Sequence, residues 1–335
     1  MVSVCLGSST CYCAYKHPDT GRVHLIPDQN SGAPGFSLLV LRSNDSMYDS
    51  YVSIDTQSSE NALDMCCGES DNKKMLIFVP IIKRLYNSIS NFIDLRYEPV
   101  YITFSNGIKQ ILGEPLLKRL FSQVFPTYSL RLESECIAST YQHFRGLAGH
   151  AKYLVFDWGY RDLKFSVVDF NLFGKRESYS VNHSYLSGSF LLGHLVDHFC
   201  KVFDTMFQSN IIDYPQAVQR IRKSCSELVK GLSRRPKVCI TLDSLLPGKD
   251  FDLKMTRKKF NELFFDFFTN MANELGLLIL EYNIRHMLIA GGFSNLLIGP
   301  SPCVLLLNQI HDLCPIEVLD FENPETILAQ GAVLM

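Results

Sequence analysis

Val4-Cys5-Leu6-Gly7-Ser8-Ser9-Thr10-Cys11-Tyr12-Cys13-Ala14 opens the chain. About 150 residues later, Phe156-Asp157-Trp158-Gly159-Tyr160-Arg161-Asp162-Leu163-Lys164-Phe165-Ser166 can be laid over it position by position. Each stretch reads as a β-prone run, a turn at glycine and a returning β-prone run. The recurrence predicts a duplicated fold with one hairpin in each half. On these residues alone, a chance match of two short hairpins is the competing reading.

Outward from the first hairpin, Arg22 to Ile26 is a further β-prone run, and Ser43 to Asp71 is rich in Ser, Asp and Asn and reads as a loop-rich or irregular insertion. Val79, Ile82, Leu85, Ile89 and Phe92 recur at helical spacing and predict a helix from about Phe78 to Leu95. A short strand, Val100 to Phe104, precedes an amphipathic helix over about Ile108 to Phe121. Beyond the second hairpin, helices are expected over about Phe190 to Phe207 and Tyr214 to Leu232, a strand over Val238 to Leu242, and an apolar helix over about Arg257 to Tyr282. Met287-Leu288-Ile289-Ala290 then runs into Gly291-Gly292, and Asn323-Pro324-Glu325 is a helix-start signal. A strand entering paired glycines can bring backbone N–H groups close to a phosphate or nucleoside, although most such pairs are plain turns.

Composition bounds the function classes. At 335 residues, the chain can form a two-lobed domain or two domains. A net charge of -2, with no dense Lys/Arg run, gives no general attraction to nucleic acid or an anionic membrane surface. The eleven cysteines form no CxxC pair and no zinc-ligand spacing, so they read as buried or free thiols of a reducing compartment. The first residues lack a basic n-region, and the longest apolar stretches fall short of the ~20 residues of a membrane span. The expectation is a soluble, cytoplasmic protein.

Taken in order, these segments resemble the nucleotide-binding domain of the 70-kDa heat-shock protein (heat shock protein 70) family. The resemblance is most specific from Ile221 to Leu263. There, Ile240-Thr241-Leu242-Asp243-Ser244-Leu245, Gly248, Asp250-Phe251, Thr256-Arg257 and Phe260 match the family's strand, turn and helix. Leu130-Arg131-Leu132 with Glu135 and Ala138 resembles its hinge-helix entry. Ile289-Ala290-Gly291-Gly292 and Asn323-Pro324-Glu325, followed by Gly331-Ala332, resemble its nucleoside loop and closing helix. The match is weakest over residues 42–98, where the family carries a longer segment.

The resemblance implies an α/β chain with a two-lobed, actin-like (ribonuclease H-like) ATPase fold, built from duplicated mixed sheets with flanking helices. The lobes would be residues 1–150 and 151–335, with no substrate-binding domain within the chain. Family members hold magnesium-ATP between two hairpins and the glycine loop, by backbone N–H groups and carboxylates. This is electrostatic stabilisation of phosphoryl transfer with little covalent chemistry from the protein.

Carried over residue by residue, the site has drifted. Cys5 replaces an Asp that orients magnesium-bound waters, while Gly7 is kept and Ser8 and Ser9 could present donors to a phosphate. Asp157 matches a carboxylate near magnesium and Gly159 is kept, but Tyr160 and Arg161 replace glycines, Asp162 a threonine and Lys164 a second Asp. Glu135 matches the hinge glutamate that positions the attacking water, and Cys136 replaces the proline after it. At the adenosine clamp stand Ser226, Val229, Lys230 and Ser233, of which Lys230 and Ser233 are chemically compatible. After Gly291 and Gly292, Phe293 replaces a small residue and Asn295 an Arg that stacks on the base; Glu325 replaces an Asp. The family's catalytic lysine falls in the shortened segment, where Lys73, Lys74 and Lys83 lie nearby in sequence and none is assigned to its place.

The expectation is therefore a degenerate nucleotide-binding domain, a pseudo-ATPase with Asp157 and Glu135 as its retained catalytic candidates. It would act in protein folding and the stress response as a chaperone regulator or scaffold. The resemblance implies ATP or ADP with Mg as ligand, in doubt here. Implied partners are a J-domain protein, a nucleotide exchange factor or the ribosome, with no direct nucleic acid and no membrane. An altered ATPase site is similar to that of the atypical family member that pairs with a J-protein on ribosomes. The alternatives are an active ATP-binding ATPase chaperone module and an actin-like structural subunit.

Overall fold

The computed structural model describes residues 1–7, 10–28, 32, 35–37, 39–41, 59–61, 65–96, 98–125, 127–146, 151–171, 174–296, 316–319 and 323–335. In chain order the strands and helices are β1 (Val2–Leu6), β2 (Thr10–Lys16), β3 (Val23–Ile26), β4 (Gly35–Ser37), β5 (Leu39–Leu41), β6 (Ser59–Asn61), α1 (Asp71–Ser90), β7 (Val100–Phe104), α2 (Asn106–Leu112), α3 (Glu114–Ser122), β8 (Ser129–Leu130) and α4 (Glu133–Arg145). They continue as β9 (Ala151–Trp158), β10 (Leu163–Asn171), β11 (Gly174–His183), α5 (Gly188–Phe207), α6 (Pro215–Arg234), β12 (Lys237–Leu246), β13 (Lys249–Thr256), α7 (Arg257–Leu263), α8 (Phe265–Tyr282), β14 (His286–Ala290), β15 (Glu317–Leu319) and α9 (Ile327–Ala332). The chain divides into two compact units: Met1–Ala151 with Ser166–Ser180 and Glu325–Met335, and Lys152–Phe165 with Val181–Pro324.

The duplication read from the two hairpins is present in the sheets. One sheet has the order β3-β2-β1-β7-β8, with β4 also on β2; the other has the order β11-β10-β9-β14-β15. In the first, β1 runs antiparallel to β2 and parallel to β7, and β7 is parallel to β8. In the second, β14 is parallel to both β9 and β15. Even the turns repeat: Gly7 N–H donates to Thr10 O at 3.1 Å, and Gly159 N–H to Asp162 O at 2.9 Å. A Cβ on Gly7 would lie 2.5 Å from Thr10 O, so the first turn closes only around a glycine.

In the first unit every residue of β1 is buried, as in a strand covered on both faces. One face packs with Ile77, Phe78, Ile82 and Leu85 of α1. On the other, Cys5 and Ala14 meet Cys136 of α4 and Ala329, Ala332 and Val333 at the closing helix. That helix lies so near α4 that a Cβ on Gly331 would fall 1.8 Å from Cys136 O. Ser3 Oγ donates to Ala329 O at 2.7 Å, and Thr140 Oγ1 to Ile327 O at 2.7 Å, fixing both contacts.

Several expected boundaries are corrected. The helix placed at Phe78 to Leu95 starts at Asp71 and ends at Ser90, running through Pro80, whose missing N–H leaves a carbonyl on the solvent-facing turn at Leu76. The helix placed over Ile108 to Phe121 is two, because Gly113 adopts φ 76° between α2 and α3. The helix placed over Arg257 to Tyr282 is also two, bent by 70° where buried Phe264 leaves helical geometry. Thr256 caps the first, its side chain accepting from Lys259 N–H. Pro324 lies in a turn, and α9 begins only at Ile327. Most of Ser43 to Asp71 is outside the described residues, but Ser59–Asn61 pairs with Leu39–Leu41 as a strand.

Candidate functional site

In the second unit, the β9–β10 turn, the start of α5 and the loop after β14 converge. α5 begins at Gly188, with Ser187 as its cap: Ser187 Oγ accepts from Phe190 N–H at 3.3 Å. The next two donors at this helix start are taken by the turn. Gly188 N–H donates to Gly159 O at 3.1 Å and Ser189 N–H to Tyr160 O at 2.5 Å. Helix-start N–H groups are natural donors for a phosphate; here the hairpin's own carbonyls satisfy them.

The glycine loop closes over the same point. Gly291 has φ 92°, its N–H donates to Pro324 O at 3.1 Å, and a Cβ there would lie 2.5 Å from both Asp157 Oδ1 and Trp158 O. Only glycine fits that approach. Phe293 N–H then donates to Trp158 O at 3.0 Å, and its ring lies on Gly188, where a Cβ would be 2.3 Å away. Trp158 and Tyr160 stand at ring-centroid distances of 5.9 and 6.5 Å from Phe293.

Asp157 lies beside this loop. Burial, then the neighbouring Asp162 charge, pushes its carboxyl up to about 7, with Lys164 acting in the opposite sense. Asp157, Gly159, Gly291 and Gly292, all singled out in the sequence, thus fall in one neighbourhood. Lys230 and Ser233 lie near the end of α6, where Ser233 Oγ donates to Lys230 O at 2.7 Å and Lys230 is exposed. Val229, at a clamp position, is buried in the core.

In the first unit, Gly7 forms its turn, while Ser8 and Ser9 lie outside the described residues. Cys5 is a buried member of an apolar cluster, and burial pushes its thiol up to about 12. It is a neutral packing residue at pH 7. Glu135 accepts from Glu177 N–H through Oε1 at 3.3 Å, and the neighbouring Ser134 hydroxyl donates to the Glu177 carboxylate. Glu325 faces Tyr12, where burial first and the Glu325 charge second raise the phenol above its ordinary value. Among the described residues, no group of three or more His, Cys, Asp or Glu side chains is arranged to hold a metal ion.

Two features escaped the sequence reading: Gly188 as the floor under Phe293, and the Ser187 cap that starts α5. The sequence signal for both was Ser187-Gly188 ahead of an apolar helical run.

Comparison with known proteins points the same way. Residues 142–291 match the family described as Hsp70 protein. Heat shock cognate 70 kDa protein 3 of Dictyostelium discoideum is 26% identical over 194 residues, 56% of this chain and 30% of the relative. A heat shock 70 kDa protein of Neurospora crassa is 23% identical over 209 residues, 60% of this chain and 31% of the relative. Heat shock protein 88 of Dictyostelium discoideum is 32% identical over 87 residues, 26% of this chain and 11% of the relative. The matched stretch thus spans about a third or less of the length of these relatives.

Proposed function

We propose that this chain is a member of the Hsp70 protein family, which residues 142–291 match, and that it acts in protein folding as a regulator or scaffold whose nucleotide site no longer hydrolyses ATP effectively. The observation that carries this reading is the start of α5, where Gly188 and Ser189 N–H groups are consumed by the carbonyls of Gly159 and Tyr160. A cradle whose donors already have partners must break those bonds to hold a phosphate. The residues present therefore do not fit a magnesium nucleotide held in the family's manner, and no catalytic step is assigned through one.

Two further observations support the reading. A neutral, buried Cys5 stands in place of a magnesium-orienting carboxylate. The Asp157 carboxyl, raised by burial, is drawn toward its protonated form, which is a poor partner for a cation. Removal of one preorganised electrostatic group costs roughly 10²- to 10³-fold in rate. The proposed working mode is binding: to a J-domain protein, a nucleotide exchange factor or the ribosome, in the cytoplasm, independent of nucleotide state.

The test is ATP turnover by the full chain, with and without a J-domain protein. The expected result is turnover at or below the unstimulated rate of an ordinary family member, with no stimulation. Stimulated turnover that collapses on Asp157→Asn would reverse the assignment and make the chain an active ATPase.

A further inference from the structure

Charge is spread unevenly along this chain. Of its 32 Lys and Arg and its 34 Asp and Glu, residues 215–260 hold twelve and four, which leaves the remainder net acidic. The fold gathers part of this excess at one junction. α6 ends at Arg234, Lys237 opens β12, and α7 starts at Arg257. Arg257 ties these ends together: its backbone N–H donates to Pro236 O at 3.0 Å and its Nε to Leu232 O at 2.9 Å. Its guanidinium is thereby spent on a carbonyl at the end of α6.

Arg234, Arg235, Lys237 and Lys258 stand around this junction, and all four are exposed. Among the described residues, no carboxylate forms an ion pair with Arg234, Arg235 or Lys237, and Lys258 reaches Glu262 only at 4.0 Å. Neighbouring cations without close counter-ions raise a positive potential that an anionic partner relieves. The patch also has an acidic border. Lys237, Cys239, Thr241 and Asp243 share the exposed face of the β12–β13 hairpin. Opposite Thr241 lies Asp252, which accepts from its hydroxyl at 2.6 Å and pairs with Lys254 at 2.8 Å. At the rise of a strand, that border begins about 13 Å from Lys237. A long, uniformly charged polyanion such as a nucleic acid would run into these carboxylates and the acidic remainder of the chain; a short acidic segment would not.

We propose that the junction of α6, β12 and α7 is a docking site for a short acidic segment of a partner protein, held by Arg234, Arg235, Lys237 and Lys258. Each arginine can grip a carboxylate through two parallel N–H donors, and each lysine acts as a point charge. The inference rests on the proposed working mode of binding, and adds to it a surface and the chemistry of the partner.

Fluorescence anisotropy of labelled hexaglutamate, at low ionic strength, tests it on the full chain. Arg234→Glu with Arg235→Glu is compared with Lys109→Glu with Arg119→Glu, which makes the same change of charge at exposed positions of the first unit. Hexaglutamate binds the unaltered chain, and added salt weakens it. The first pair of substitutions weakens binding about tenfold or more, the second less than about twofold. No binding to the unaltered chain, or equal losses in the two variants, would overturn the proposal. A labelled twenty-nucleotide oligouridylate is the second probe. If it binds more tightly than hexaglutamate and loses that binding in the Arg234→Glu, Arg235→Glu variant, the patch takes nucleic acid and the proposal falls. Should that variant not fold, Lys237→Glu with Lys258→Glu, outside α6, replaces it with the same expected loss. Turnover of ATP stimulated by a J-domain protein would overturn the proposed function without touching hexaglutamate binding, so the two failures are distinguishable.

Discussion

Asp157→Asn should make the second unit more stable at high pH and leave it unchanged at low pH. The folded-state carboxyl titrates near 7, against an ordinary value of 3.8, chiefly through burial and then through the Asp162 charge, with Lys164 opposing. A raised carboxyl pKa means that the folded state holds the proton more tightly than the unfolded chain. The stability it contributes is complete below pH 3.8 and is lost as pH rises through about 7. At about 1.4 kcal/mol per pH unit, that span corresponds to about 4 kcal/mol, and sharing of the titration with Asp162 brings the expected difference to about 2–4 kcal/mol. Asparagine resembles the protonated carboxyl in size and charge, so the variant lacks this loss. Urea unfolding followed by Trp158 fluorescence, which lies in the same unit, measures both proteins from pH 4 to 8. Carboxylates elsewhere titrate alike in both and cancel in the difference. A difference that stays flat across the range, or that favours the unaltered protein at pH 8, would refute the reasoning.

Other consequences follow from the first unit. Cys5→Asp restores the family's residue type in an apolar cluster with Ala14, Cys136 and Ala332, and thermal unfolding should show a loss of about 3 kcal/mol or more, with no gain in ATP turnover. Gly331→Ala drives a methyl onto Cys136 O, which it would approach to 1.8 Å, and should cost about 3 kcal/mol in denaturant unfolding; a neutral result would mean that α9 does not pack on α4.

The fold was legible where the local signal and the tertiary structure agree. The strand Val100–Phe104 and the two glycine turns are found as read, because a short β-prone run and a tight turn are local properties: a Cβ would fall 2.5 Å from Thr10 O at Gly7 and 3.1 Å from Asp162 O at Gly159. The broken helices were not legible: Gly113 and Phe264 end their helices by backbone conformation, and nothing in the apolar spacing reports that. Of the site, Asp157, Gly159 and Gly291 could be brought together from the resemblance. What could not be read is where hydrogen bonds go. That Glu135 takes a backbone N–H of β11, and that Gly188 and Ser189 spend theirs on the hairpin, depends on residues distant in sequence.

The central claim is that this site is closed from within and holds nucleotide weakly. Calorimetric titration of the unaltered full chain with magnesium-ATP tests it most directly. Lost contacts to charged groups, each about 1.5–3 kcal/mol, move a tight site by several powers of ten. The account predicts a Kd of about 100 μM or weaker, and binding with a Kd below about 1 μM would contradict it.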